Sequence, residues 1–202
     1  IIGQTADPAQ IENYLQPLEV QNYRDKTYTD WFDLLTRDAA PLSQYDLSVS
    51  GKTAKTNYYL SGSLTSQNGV VIGDDFKRST LRANFSNQIN EWLNIGLNAS
   101  FSHRDYSGQA VEFRERATFA SPLSTVYADK KNNILNMWPH DDQVTINPLN
   151  TLNAKDEEIQ DNLFSIFTVD IQLPKLKFLK YHFDYSNGLQ FYKHNEFWGT
   201  DT

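Results

Sequence analysis

The sequence predicts an all-β chain, mainly antiparallel, laid out as a meander of about six strands. Two observations carry that reading. The first is alternation with period two: Leu93, Ile95, Leu97, Ala99 and Phe101 fall on one face of an extended chain, with Asn94, Gly96, Asn98, Ser100 and Ser102 on the other. The run approaches the about 9–11 residues a tilted strand needs to cross a bilayer. Its polar face is small and uncharged, as suits a strand lining a wet interior. The second observation is the rhythm of the turns, short then long, which in membrane barrels separates periplasmic turns from extracellular loops.

Residues 1–40 are written differently and read as a helical segment ahead of the strands. Asp7-Pro8-Ala9-Gln10 supplies an N-cap residue, a proline at the first helical position and a Gln at the third. Ile11, Tyr14, Leu15 and Leu18 follow at helical spacing, and Pro17 is expected to end the helix. A second short helix is expected from Thr29 or Asp30 through Thr36, with Trp31, Phe32, Leu34 and Leu35 as its apolar surface.

Strands are then expected near 43–51, 57–66, 78–89, 92–103, 162–173 and 177–192, with a long loop over 104–160. In the first pair Tyr45, Leu47 and Val49, then Tyr58, Leu60, Gly62 and Leu64, take one face. The hairpin tip over 66–78 holds Asn68-Gly69 and Gly73-Asp74, both strong turn signals. Leu81, Ala83 and Phe85 oppose Arg82, Asn84 and Ser86, and Asn90-Glu91 turns the chain tightly. The long loop is of a size that counts against a compact soluble domain. Within it 109–120 reads as a helix, with Glu112 and Arg116 at an i,i+4 spacing and Ser121-Pro122 as its stop. Asp156-Glu157-Glu158 reads as a solvated loop tip. Leu163, Phe167, Val169 and Ile171, then Leu179, Tyr181, Phe183 and Tyr185, continue the alternation on either side of a short Pro174-Lys175 turn.

Composition narrows the function classes. The 202 residues carry a net charge of -7, which removes the basic footprint that nucleic acid demands. With 39% hydrophobic residues, no window reaches the about 18 consecutive apolar residues of a membrane helix. A strand-built membrane protein is compatible with the same numbers, because its strands are apolar on one face only. The 11 Tyr and 12 Phe fit either a β-rich core or aromatic girdles at two membrane interfaces. The absence of cysteine removes disulfides, thiolate metal sites and thiol nucleophiles. The chain opens Ile1-Ile2-Gly3 without a charged segment or an apolar core behind it, so it is expected to lack a signal peptide and to be a piece of something longer.

Several segments, in order, resemble the SusC/RagA family of TonB-dependent outer-membrane transporters. They are Thr29-Asp30-Trp31; Tyr45-Asp46-Leu47-Ser48-Val49-Ser50-Gly51; Lys55-Thr56-Asn57-Tyr58-Tyr59-Leu60-Ser61; and the run from Asn68-Gly69 through Gly73-Asp74-Asp75-Phe76-Lys77-Arg78. Asn90-Glu91-Trp92-Leu93-Asn94-Ile95-Gly96, Ala120-Ser121-Pro122 and Asn147-Pro148-Leu149 continue the likeness, which covers 29–193. The resemblance implies a plugged transmembrane barrel of the roughly 22-stranded class. Residues 41–202 would form part of its wall, with short helices in long loops and without the plug. It further implies uptake of glycans or peptides across the Gram-negative outer membrane, a SusD-like surface lipoprotein and the TonB complex as partners, and membrane lipid on the outer strand face. The hairpin tip over 66–78, the long loop and the N-terminal helices would then be extracellular, and Trp92, Tyr58 and Tyr181 would belong to a periplasmic-side aromatic belt.

Catalysis is not expected. Asp74-Asp75 and Asp141-Asp142 are adjacent carboxylates, which in a strand point to opposite faces, whereas glycoside cleavage needs two carboxyls converging at about 5–10 Å. His103, His140, His182 and His194 lack metal-ligand spacing, so neither a metal nor a cofactor is expected. The loop cluster singled out for ligand contact is Trp138, His140 and Asp141, where an aromatic platform beside polar groups suits a sugar face; the competing reading makes Trp138 an anchor for the loop. The competing function class is a secreted or surface β-sandwich module for carbohydrate binding or adhesion, which shares the aromatics and the alternation.

Overall fold

The computed structural model describes residues 8–109, 118–141, 146–176 and 178–199. Its frame is one antiparallel sheet of six long strands in the order β1 (Leu42–Lys52), β2 (Thr56–Asn68), β3 (Asp75–Asn90), β4 (Leu93–Asp105), β7 (Lys155–Gln172) and β8 (Lys180–Phe197). Each strand pairs with its neighbour in sequence, apart from the β4–β7 pair, which is separated by the long excursion. This is the expected all-β meander. The excursion carries a small hairpin of β5 (Tyr127–Asp129) and β6 (Ile134–Leu135).

The register keeps the alternation in phase across the six strands, so most apolar residues gather on one face and most polar ones on the other. One face carries the row Leu47, Gly62, Leu81, Phe101, Leu163 and Leu189, and lower down the row Gly51, Tyr58, Phe85, Leu97, Phe167 and Tyr185. The opposite face carries Asp46, Ser63, Thr80, Ser102, Asn162 and Gln190. Large residues lie over cross-strand glycines: a Cβ on Gly51 would fall 2.4 Å from the Tyr58 ring. Short connections close one end of the sheet. In the β1–β2 turn the Thr53 N–H donates to the Thr56 carbonyl (2.7 Å), and in the β3–β4 turn the Trp92 N–H donates to Asn90 Oδ1 (3.0 Å).

At the other end the long connections fold together into a cap, and the hydrophobic core sits there. Trp31, Leu35, Val126 and Leu149 form it, with Leu34, Val71, Ile72 and Leu135 packed around them. Among the described residues Thr65 is the single buried residue of the six-stranded sheet. The N-terminal segment supplies a 3-10 helix (Pro8–Tyr14), α1 (Pro17–Asp25) and α2 (Trp31–Leu35). Asp30 caps α2 by accepting from the Asp33 N–H at 3.1 Å.

Two sequence expectations need correcting. Pro17 does not end a helix but opens α1 as its first residue, where a fixed φ and a missing N–H cost nothing. Asp156-Glu157-Glu158 is not a loop tip: it lies inside β7, facing His194, Asn195 and Glu196 of β8, and Lys193 reaches Glu157 at 2.7 Å. Polar cross-strand partners hold those pairs, so apolar alternation does not reveal them. Most of the helix expected over 109–120, namely 110–117, lies outside the described residues.

Candidate functional site: the polar face and the cap

The cap is built largely from the sequence motifs. The Trp31 indole N–H points at both the Ser121 carbonyl (3.0 Å) and Ser124 Oγ (2.9 Å), and the Thr29 N–H donates to the Pro122 carbonyl at 2.7 Å. Asn147, 1% exposed, donates from Nδ2 to the carbonyls of Val126 (2.8 Å) and Asn136 (3.0 Å) and accepts the Leu149 N–H at 3.0 Å. The β2–β3 loop is tied in by Arg37, which binds the Gly69 carbonyl at 2.7 Å and forks onto the Asp75 carboxylate at 3.0 and 3.3 Å. Gly73 sits at φ 80, where a Cβ would strike the Gln109 carbonyl, so only glycine lets the loop meet the excursion there. At the cap's edges Asp129 accepts from the Lys131 and Asn132 N–H groups, and the Asn132 side chain above all holds its carboxyl below the ordinary range.

Trp138, His140 and Asp141 belong to this cap. Trp138 is half-buried, Pro139 fully buried and His140 8% exposed. Asp141 is engaged with the start of α1: its carboxylate accepts the Leu18 N–H at 2.8 Å, and its own N–H donates to Gln16 Oε1 at 2.8 Å. The three residues are thus held together at the junction of the excursion and the N-terminal helices, with Asp141 engaged by backbone.

The polar sheet face is divided by charge. Near the short turns His182 stands between two carboxylates, Asp170 at 2.7 Å and Asp184 at 2.8 Å, so both ring nitrogens are engaged. Neither is left to serve a nucleophile. At the capped end of β7 and β8, His194 meets Asp156 at 2.9 Å and the Tyr192 hydroxyl donates to Glu158 at 3.1 Å. The ligand atoms of Asp156, Glu158 and His194 lie within 4.8 Å of one another. Each member already has a protein partner, which accounts for the cluster as a hydrogen-bonded pairing of two strands. Between these acidic ends lies a cleft of about 490 Å³ lined by Arg78, Arg82 and Arg104 together with serine hydroxyls, Tyr59 and Phe164. The sequence reading did not single out these arginines. Parity along β3 already puts Arg78 and Arg82 on one face, but only the β3–β4 register brings Arg104 opposite Arg78.

No protein-family model matches the chain. A TonB-dependent receptor, P3, of Formosa agariphila is 25% identical over 185 residues, covering 89% of this chain and 17% of its own length. A second, P26, of the same organism is 28% identical over 98 residues, covering 48% of this chain and 10% of its own length. The chain therefore spans a small part of the curated relatives it matches. A solved structure of the RagAB peptide transporter superposes on 73% of this chain and 18% of its own, at 23% identity and a TM-score of 0.58, a likeness of fold. Those relatives are named as receptors and a transporter. The six strands in meander order, with one apolar and one polar face, are thus a fold shared with part of the RagAB transporter structure, and the sequence is similar to part of two TonB-dependent receptors.

Proposed function

We propose that the chain forms part of the wall and outer cap of an outer-membrane TonB-dependent importer of glycans or peptides, working with a SusD-like surface lipoprotein and energised through the TonB complex. The observation that carries this is the exposed apolar face. Leu47 is 80% exposed and Tyr185 60%, with nothing among the described residues layered over them. So large an apolar surface calls for a nonaqueous neighbour. The stretch Leu93 to Phe101 meets the about 9–11 residues that a tilted strand needs to cross a bilayer. On this reading Trp92, Tyr58 and Tyr181 stand at the periplasmic interface, the polar face lines the lumen, and residues 1–40 with the long loop 104–160 lie outside. A β-sandwich adhesion module would need a second sheet over the apolar face.

Trp138, His140 and Asp141 are the loop residues proposed to meet ligand, Trp138 through its half-open ring, with His140 and Asp141 setting the loop that presents it. The full-length receptor is expected to migrate compactly on unheated gels and to shift on boiling. It is also expected to take up its solute only when TonB is present, and Trp138→Ala is expected to lower that uptake. Unfolding without a heat-modifiable form would overturn the barrel; uptake indifferent to TonB would overturn the importer.

A further inference from the structure

The cleft on the polar face is positively charged in a protein whose net charge is -7. Arg78 and Arg104 are placed directly opposite each other on β3 and β4, and Arg82 stands one same-face position beyond Thr80 on β3. Like charges facing each other across a strand pair are destabilising unless something between them compensates. Among the described residues, no carboxylate lies within ion-pair distance of any of the three guanidiniums. Among the same described residues, their side-chain hydrogen bonding is confined to Arg104 Nη1, which donates to Gln160 Oε1 at 3.3 Å. Asp46 also lines the cleft, but its carboxylate takes a bond from Gln44 Nε2 at 2.9 Å.

A second observation converges on the same spot. Four buried polar atoms without a partner cluster here: Thr65 Oγ1, Arg78 Nε, Ser102 Oγ and Asn162 Nδ2. Thr65 pairs with Arg78, which pairs with Arg104, while Ser102 pairs with Asn162 in the adjoining row. Thr65 itself is only 8% exposed. Unpaired buried donors and acceptors are costly, and a site that gathers them beside a pair of guanidinium forks is built for a planar, multiply accepting anion. Tyr59 and Phe164 add flat apolar faces on either side of the hydroxyl-rich floor.

We propose that this cleft binds the carboxylate of an anionic oligomer, with Arg78 and Arg104 as its paired donors and Arg82 as a flanking charge. The carboxylate could be carried by an acidic sugar or by an acidic peptide. The origin of that solute rests on the importer reading; the site itself does not.

The test uses the full-length receptor in detergent and three probes: oligogalacturonate, its methyl ester, and oligoglutamate. Wild-type protein is expected to bind one or both carboxylated probes, and to bind the ester at least tenfold more weakly. Arg78→Gln with Arg104→Gln is expected to weaken carboxylate binding by about tenfold or more while heat-modifiable migration persists, because charge-assisted forks are lost. The Lys pair at the same positions should recover only part of it. Binding by oligogalacturonate alone names a sugar acid, and binding by oligoglutamate alone an acidic peptide. Failure of all three probes, equal binding of ester and acid, or binding indifferent to the Gln pair in a folded barrel overturns the proposal. TonB-dependent uptake is scored separately, so arginine-dependent binding without TonB dependence removes the importer and leaves the site.

Discussion

The sheet and the cap are made from the same chain and solve opposite problems. The cap buries Leu35 completely and Trp31 to 3% exposure, ties its loops with side-chain to backbone hydrogen bonds, and carries its own core. The sheet has a complete hydrogen-bonded ladder but buries almost no side chain, and β1 and β8 leave its edges open. Folding energy in the cap is internal. In the sheet it must come from outside, which on the proposed importer reading means lipid on one face, neighbouring strands at the edges and water or ligand on the other.

The largest expected effect breaks this contrast from the cap side. Trp31→Ala removes the indole from the core and takes its N–H from Ser124 Oγ and from the Ser121 carbonyl, which keeps the Ser124 hydroxyl and N–H as donors. A cost of about 3–5 kcal/mol is expected, within the range for a buried aromatic. It should fall on the cap alone: limited proteolysis of the full-length receptor should cut within the excursion, while heat-modifiable migration stays unchanged. Loss of both together would mean that cap and barrel fold as one unit.

The next effect tests the sheet. Leu97 and Asn98 are neighbours on β4, one on the apolar face between Phe85 and Phe167, the other on the polar face beside Asn84 and Ile166. Leu97→Arg is expected to cost about 2–4 kcal/mol in a refolding titration into lipid vesicles, the midplane penalty for a lipid-facing arginine. Asn98→Arg should cost much less. Equal penalties would mean that the two faces share one environment.

How far the sequence revealed each region follows from the same contrast. The sheet was legible because alternation is a local signal, and one residue of slip would have exchanged the faces along a whole strand. Where strands are held by charge pairs instead of apolar contacts, as at Asp156 to Glu158, that signal fades and the start of β7 reads as loop. The cap was legible only in pieces. Thr29-Asp30-Trp31, Ala120-Ser121-Pro122 and Asn147-Pro148-Leu149 stood out as motifs, but nothing local tells that the first two lock together through the Trp31 indole. The arginine cleft was missed for a related reason: each arginine occupies an ordinary polar position on its own strand. Their convergence is a property of register and not of any one segment.

The smallest expected effect lies at the edge of the cap, where the exposed residues of the β5–β6 turn are held by the half-buried Asp129 carboxylate. Asp129 accepts two backbone N–H groups and the Asn132 side-chain amide, with Asn132 the foremost cause of its lowered pKa. A carboxyl depressed on folding contributes stability that is present above its ordinary value of 3.8 and is lost as pH falls through the lower folded value. The backbone amide shifts of Lys131 and Asn132 should therefore titrate with a midpoint below 3.8. In Asn132→Ala that midpoint should move back toward 3.8, while the Trp31 indole resonance stays fixed across the same range. If the indole moved with them, the turn and the core would be coupled and the cap would open as a whole in acid. A fixed indole would confine acid sensitivity to the turn and leave the buried core to hold the cap closed.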